Sequence, residues 1–172
     1  SLLLGGYLGF QMPTPQQRDY LRESLGRWRN SKPILFIDFW NDGPVVHGCM
    51  SGARKYAHIN SKGDVEPCVF CHFATHNIHE YSLKEALNSP LFQAIKAKIP
   101  YDENLYRTCM LVDHPEVGRE MALNHGAYFT HEGADCIFTN LADEIDEFAE
   151  SYKSFADPAW QKHPQSKHSQ GE

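Results

Sequence analysis

Apolar positions along the chain follow three rhythms, and each predicts a different element. From Thr14 to Trp28 they recur at helical spacing, with Tyr20, Leu21, Leu25 and Trp28 on one face. This segment opens on Thr14, Pro15 and Gln17, the order of an N-cap, a first-turn proline and a capping-box glutamine. From Pro33 to Trp40 the residues are almost continuously apolar, which predicts a strand covered on both faces as in a parallel sheet. That run stops at the turn residues Asn41 to Pro44. A helix followed by a doubly covered strand is half of an α/β repeat, and no second repeat follows, so residues 1–44 read as the end of a larger domain. The third rhythm lies in Tyr56 to Asn60 and Asp64 to Phe70, joined by Ser61, Lys62 and Gly63: a β-hairpin pattern. Pro67 has no N–H to give, which places the second strand at an edge or at its own end.

Helices are predicted further on. Ser82 and Glu85 form a capping box, and Ser89-Pro90 opens a helix carrying Leu91, Phe92 and Ile95. Another runs from Pro115 to Asn124 and ends at His125-Gly126. The last spans Leu141 to Ala156, with Leu141, Ile145, Phe148, Tyr152 and Phe155 on one stripe and Asp143, Glu144, Asp146 and Glu147 in its first turns. Beyond Trp160 the chain turns polar, and residues 161–172 are predicted to fray. The opening run Leu2 to Phe10 is short, broken by Gly5, Gly6 and Gly9, and without a basic flank, so neither a membrane span nor an export signal is expected.

Composition narrows the partners. The chain has 172 residues and a formal charge of -6, with 16 Lys and Arg against 22 Asp and Glu and no basic block, which disfavours nucleic acid. A peptide, small-molecule or protein partner is expected instead. Five cysteines is an odd number, and without an export signal a disulfide framework is a poor reading. Reduced thiols in the cytoplasm, available to a metal, fit better.

Cys49 follows the predicted strand-ending turn in a stretch with Gly48 and Gly52, Cys68 closes the hairpin, and Cys109 lies between helices. Three cysteines at loop or strand-end positions around one hairpin make a metal-site arrangement, though spacing does not fix the metal. The plainer alternative is that each is a small buried apolar residue. Cys71 completes a Cys-x-x-Cys pair with Cys68, but on a continuing strand positions three apart face opposite ways, so the pair works only if the chain turns at Val69 and Phe70. Val and Phe favour strand and no glycine follows Cys68, so Cys71 is expected to point away. Cys136 has no ligand candidate nearby and reads as an ordinary thiol. His72, His76 and His79 allow a rival account, a small structural zinc domain that mediates protein contacts. For His76 to Glu80, a polar loop before the capped helix is the expectation.

The residues Phe39 to Gly43, Gly48-Cys49, Tyr56 to Asn60, Gly63 to Phe70 with its Gly-Asp-Val-x-Pro-Cys ending, Asn77-Ile78 and Ser82-Leu83 together resemble the C-terminal accessory region of radical S-adenosylmethionine (radical SAM) proteins, called SPASM, or twitch in its one-cluster form. The resemblance covers about Pro13 to Trp160. It implies an α+β fold in which a small hairpin-centred iron-sulfur domain with surrounding helices, residues 45–160, follows the last helix and strand of a truncated α/β radical SAM barrel, residues 1–44. Carried over, Cys49, Cys68 and Cys109 imply one auxiliary 4Fe-4S cluster, placed near the substrate for ligation or electron transfer. Cys71 is a possible fourth ligand, and the expectation is that it stays out and leaves one iron open. Asp38, Asn41 and Asp42 would face the active-site mouth of the barrel and are the weak catalytic candidates. S-adenosylmethionine and a second 4Fe-4S cluster are implied only for the full-length parent, because the Cys-x-x-x-Cys-x-x-Cys motif that cleaves S-adenosylmethionine is not in this sequence. The chain alone is expected to be inactive, with the missing barrel as its partner.

Overall fold

The computed structural model describes residues 12–167; the apolar run Leu2 to Phe10 and residues 168–172 lie outside the described residues. Helix α1, Pro15–Ser31, starts as its sequence requires: the Gln17 N–H donates to Thr14 Oγ1 at 3.2 Å and the Thr14 N–H to Gln17 Oε1 at 2.8 Å. Its inner face differs from the expected apolar one. Arg18, Ser24 and Leu25 are buried, whereas Tyr20 is 63% exposed. Arg18 turns inward because it meets Asp113 and lies 3.7 Å from the centroid of the Tyr152 ring, so a cation occupies the place an apolar residue was expected to fill.

The strand expected over Pro33 to Trp40 does not form. Ile34, Leu35 and Ile37 are 62%, 84% and 63% exposed, and the segment leads into a turn in which the Asp42 N–H donates to the Asp38 carbonyl at 3.0 Å. An apolar run becomes a strand only where a neighbour accepts and donates its backbone bonds, and both sheets of the described residues lie elsewhere. A one-turn helix follows, α2, Gly43–Val46.

The hairpin is present but short. Strand β1, His58–Ile59, pairs antiparallel with β2, Val65–Glu66, and His58 faces Glu66. Gly63 makes the turn at φ +88°, with Asn77 and His79 packed where a side chain would go. A second two-stranded sheet pairs β3, Phe73–Ala74, with β4, Tyr128–Phe129, and the bridge from Asp64 to Asn77 joins the two regions. The two sheets and the helices around them make a small α+β arrangement.

Helix α3, Leu83–Leu87, has the predicted capping box of Ser82 and Glu85, and α4, Pro90–Lys98, is capped by Ser89. Leu91, Phe92 and Ile95 go into the core with Val65, Cys71, Phe73, Met110 and Met121. Full burial of such side chains stabilises by about 1.5–3 kcal/mol each. Helix α5, Pro115–Asn124, and a 3₁₀ turn, Ala134–Phe138, lead to α6, Ala142–Gln161. Helix α6 runs five residues past the expected end and through Pro158, because Ala156 and Trp160 on either side are buried with Tyr106 and Tyr152 in a second apolar cluster. The start of the tail is also ordered: Pro164–Lys167 form a 3₁₀ turn, His163 stacks on Trp160 at 4.9 Å, and Gln165 donates to the Pro44 carbonyl at 3.2 Å. No helix among the described residues is long and apolar enough to cross a membrane.

Candidate metal centre

Four of the five cysteines are brought together. Strand pairing ends at Glu66, because Pro67 has no N–H to give and its carbonyl takes the Gly52 N–H at 3.0 Å, and the chain then reverses: the Cys71 N–H donates to the Cys68 carbonyl at 2.9 Å with Val69 and Phe70 at the corner. This corrects the expectation that the strand continues and turns Cys71 away. The Cys71 thiol is buried and hydrogen-bonded to the Cys68 thiol, within electrostatic reach of Cys49 and Cys109. Burial first, then these sulfur neighbours, push Cys71 far above the usual thiol range. The bond from Cys71 lowers Cys68, as do the Phe70 and Val69 amides that point at its sulfur.

Cys49 is held by a loop that doubles back. His47 and Gly48 take positive φ values of 58° and 98°, and the Arg54 guanidinium gathers the carbonyls of Val46 and Cys49, both at 2.6 Å, and of Gly48 at 3.3 Å. The Cys49 thiol donates to Ser51 Oγ at 3.1 Å, and the Ser51 N–H approaches its sulfur at 3.5 Å. Burial raises this thiol. Cys109 opens a tight turn: Asp113 and His114 donate to its carbonyl at 2.9 and 3.0 Å, and its own N–H donates to Asp113 Oδ2 at 2.9 Å. The Leu111 and Val112 amides are directed at its sulfur, while burial and the nearby Asp113 carboxylate push the thiol upward.

Cys49, Cys68 and Cys109 line a small cavity, with Cys71 behind the Cys68 turn. Aromatic rings roof it. Phe39 packs edge-on against Tyr56 and Phe70 at 5.5 and 5.8 Å, and Trp40 stacks on Phe70 at 6.4 Å. Among the described residues no three His, Cys, Asp or Glu side chains are placed to share a single metal ion. A 4Fe-4S cube asks something else, one thiolate on each of four irons around a common volume, with amide donors to the sulfurs and an apolar surround. Four thiols, five amides aimed at three of their sulfurs and an aromatic roof fit that group.

The remaining candidates have partners of their own, although His72 lies within electrostatic reach of Cys68. His72 sits 3.7 Å from buried Glu66 and against His131, and His76 bonds Thr75 and packs on Tyr81, so the two-cysteine, two-histidine set of a zinc site is not assembled. Cys136 lies in the 3₁₀ turn 134–138. Asp38, Asn41 and Asp42 are not at the end of a strand but in the turn after the exposed apolar segment. Asp38 accepts the Trp40 and Asn41 N–H groups and the Asn41 side chain, while Asp42 accepts Arg29 at 2.5 Å and the Asp38 N–H at 2.9 Å. A carboxylate there is expensive unless paired, and both are paired within the chain.

Sequence reasoning passed over Arg18, Ser51, Arg54 and Asp113, all of which touch the ligand loops. Arg18 and Asp113 are 95 positions apart, and no local pattern could have joined them. The Arg54 contacts lie within eight residues, and the cue available was a loop rich in glycine with one arginine at its end.

With this geometry in hand, residues 49–110 match the family model SPASM, described as an iron-sulfur cluster-binding domain. The matched stretch begins on Cys49 and ends one residue after Cys109. No curated protein and no solved structure matches the chain.

Proposed function

Residues 49–110 are a SPASM-type iron-sulfur domain, and from that premise we propose that the chain is the auxiliary part of a radical SAM enzyme, holding one 4Fe-4S cluster on Cys49, Cys68, Cys71 and Cys109. The observation that carries the fourth ligand is the reversal at Val69 and Phe70, which folds Cys71 back onto Cys68 beside the other two thiols. Four thiolates leave no iron open, so the bound cluster would supply one-electron transfer to or from a peptide or small-molecule substrate rather than a binding position for it.

The protein's own groups orient and insulate. Ser51, Val69, Phe70, Leu111 and Val112 place amide dipoles on three sulfurs, which favours the charged thiolate form. Phe39, Trp40 and Phe70 line the cavity of the thiols and would limit the access of water to a bound cluster. Segment 33–38 supports a larger partner: its Ile34, Leu35 and Ile37 are apolar and outward-facing, as expected of residues whose cover belongs to the radical SAM barrel, where S-adenosylmethionine and the second cluster would reside. Asp38, Asn41 and Asp42 then shape the turn that carries Trp40 to the thiols.

Anaerobic purification followed by iron and sulfide analysis tests this reading. About four irons per chain are expected. Serine at Cys49, Cys68, Cys71 or Cys109 should lower the count, and Cys136→Ser should not. Stoichiometric zinc without iron would sink the proposal. Full iron and an unaltered spectrum in Cys71→Ser would restore a three-thiolate site.

A further inference from the structure

Arg18 lies outside the matched segment and is fully buried, as is Asp113. The pair is bidentate: Arg18 Nη1 reaches Asp113 Oδ1 at 2.5 Å and Nη2 reaches Oδ2 at 2.9 Å. The same Oδ2 accepts the Cys109 N–H at 2.9 Å, so one carboxylate oxygen joins the guanidinium to the backbone of a thiol ligand. The guanidinium also lies 5.5 Å from the centroid of Trp40, one of the rings roofing the thiols. A helix–helix contact does not need this. An apolar side chain would pack α1 at less cost, since a charge pair buried between α1 and the turn before α5 is expensive to desolvate.

We infer that Arg18 and Asp113 form a charge pair that sets the reduction potential of the cluster, with Asp113 holding the Cys109 turn and Arg18 cancelling the negative charge this brings beside the sulfur. The inference rests on the cluster reading above. Reduction adds negative charge to the cluster, so a neighbouring cation favours the reduced form and a neighbouring anion the oxidised form. Burial leaves water little part in screening either charge. Arg18 and Asp113 are positioning residues here, and neither ligates iron.

Opposite signs separate this from a structural role. In the full chain, reconstituted without oxygen, Arg18→Gln lowers the midpoint potential measured by redox titration. Asp113→Asn, whose side-chain oxygen can still accept the Cys109 N–H, raises it. Arg18→Lys keeps the charge and stays near the wild-type value. Iron content is measured first: a wild-type chain without iron overturns the cluster reading itself, whereas a wild-type chain with iron leaves that reading standing and puts only the charge pair at stake. Shifts of the same sign in Arg18→Gln and Asp113→Asn, or no shift, overturn the inference. If Arg18→Gln does not fold, the sign in Asp113→Asn decides alone. If neither variant folds with its cluster, the pair is structural and the inference is wrong.

Discussion

Replacing Gly43 by alanine should loosen the metal centre from behind. Gly43 opens α2 and faces the stretch leading to Cys109; a Cβ there would lie 1.9 Å from the Leu105 carbonyl oxygen and 2.1 Å from Thr108 Cγ2, against an ordinary contact of 3.4 Å or more. Segments 38–44 and 105–108 would therefore have to part by about 1.5 Å. The carbonyl oxygen is backbone and cannot rotate out of the way. Overpacking of this kind costs about 1–3 kcal/mol, and two simultaneous clashes place the cost at the upper end. For a chain of this length each kcal/mol lowers the melting temperature by roughly 2–4 °C, so a fall of roughly 6–12 °C is expected. Because Thr108 adjoins Cys109 and its hydroxyl donates to the Trp40 carbonyl at 3.3 Å, iron retention should drop as well. Circular dichroism melts and iron analysis measure both. Gly26→Ala is the control: nothing lies within 4 Å of its added methyl, and it should melt slightly higher because alanine is the better helix former. If Gly43→Ala keeps its melting temperature and its iron, the packing of 105–108 against α2 is not what holds Cys109 in place.

Two further outcomes follow from local contacts. Burial of Asp64 opposes its ionisation, but hydrogen bonds from Asn60, Tyr128 and Asn77 outweigh this and hold the carboxyl below its usual range. A depressed folded value gives stability that is complete above the unfolded value of about 3.9 and disappears as pH falls through the folded one. The melting advantage of the native chain over Asp64→Asn should therefore vanish in acid, and a constant difference down to about pH 2 would contradict the assignment. Ser82→Ala removes the side-chain half of the α3 capping box, the Oγ that accepts the Glu85 N–H, while the backbone N–H at position 82 can still donate to Glu85; it should cost about 1 kcal/mol, read from the denaturant midpoint, and no change would mean that the side-chain cap does not hold α3.

Elements decided by neighbours in sequence were legible, and those decided by distant partners were not. Thr14 with Gln17, Ser82 with Glu85 and Ser89 with Pro90 mark helix starts because each cap bonds within three residues. Cys49, Cys68 and Cys109 were readable as ligand candidates from the glycines and the hairpin around them. Cys71 was legible only as a possible fourth ligand, because the reversal at Val69 and Phe70 needs no glycine to announce it and follows a Pro67 carbonyl taken by Gly52, a fact about another segment. Ile34 to Ile37 have the composition of a buried strand and lie on the surface, since apolar content says how much a segment gains from cover and nothing about what covers it. Arg18 was hidden for the converse reason. A charged side chain reads as solvated unless its partner is known, and that partner lies beyond six later elements.

The wide spacing of the four thiols also changes how the chain unfolds. Cys49 and Cys109 bracket a loop of about 60 residues that contains the hairpin, α3 and α4. Iron bound at both ends would act as a staple, restricting the unfolded chain as a disulfide across the same span does, by about 4 kcal/mol in the chain-entropy treatment. The staple is reversible. Withdrawing the metal would leave a chain that has lost much of its margin against unfolding, so the iron-sulfur cluster and the mechanical closure of the domain would be one and the same object.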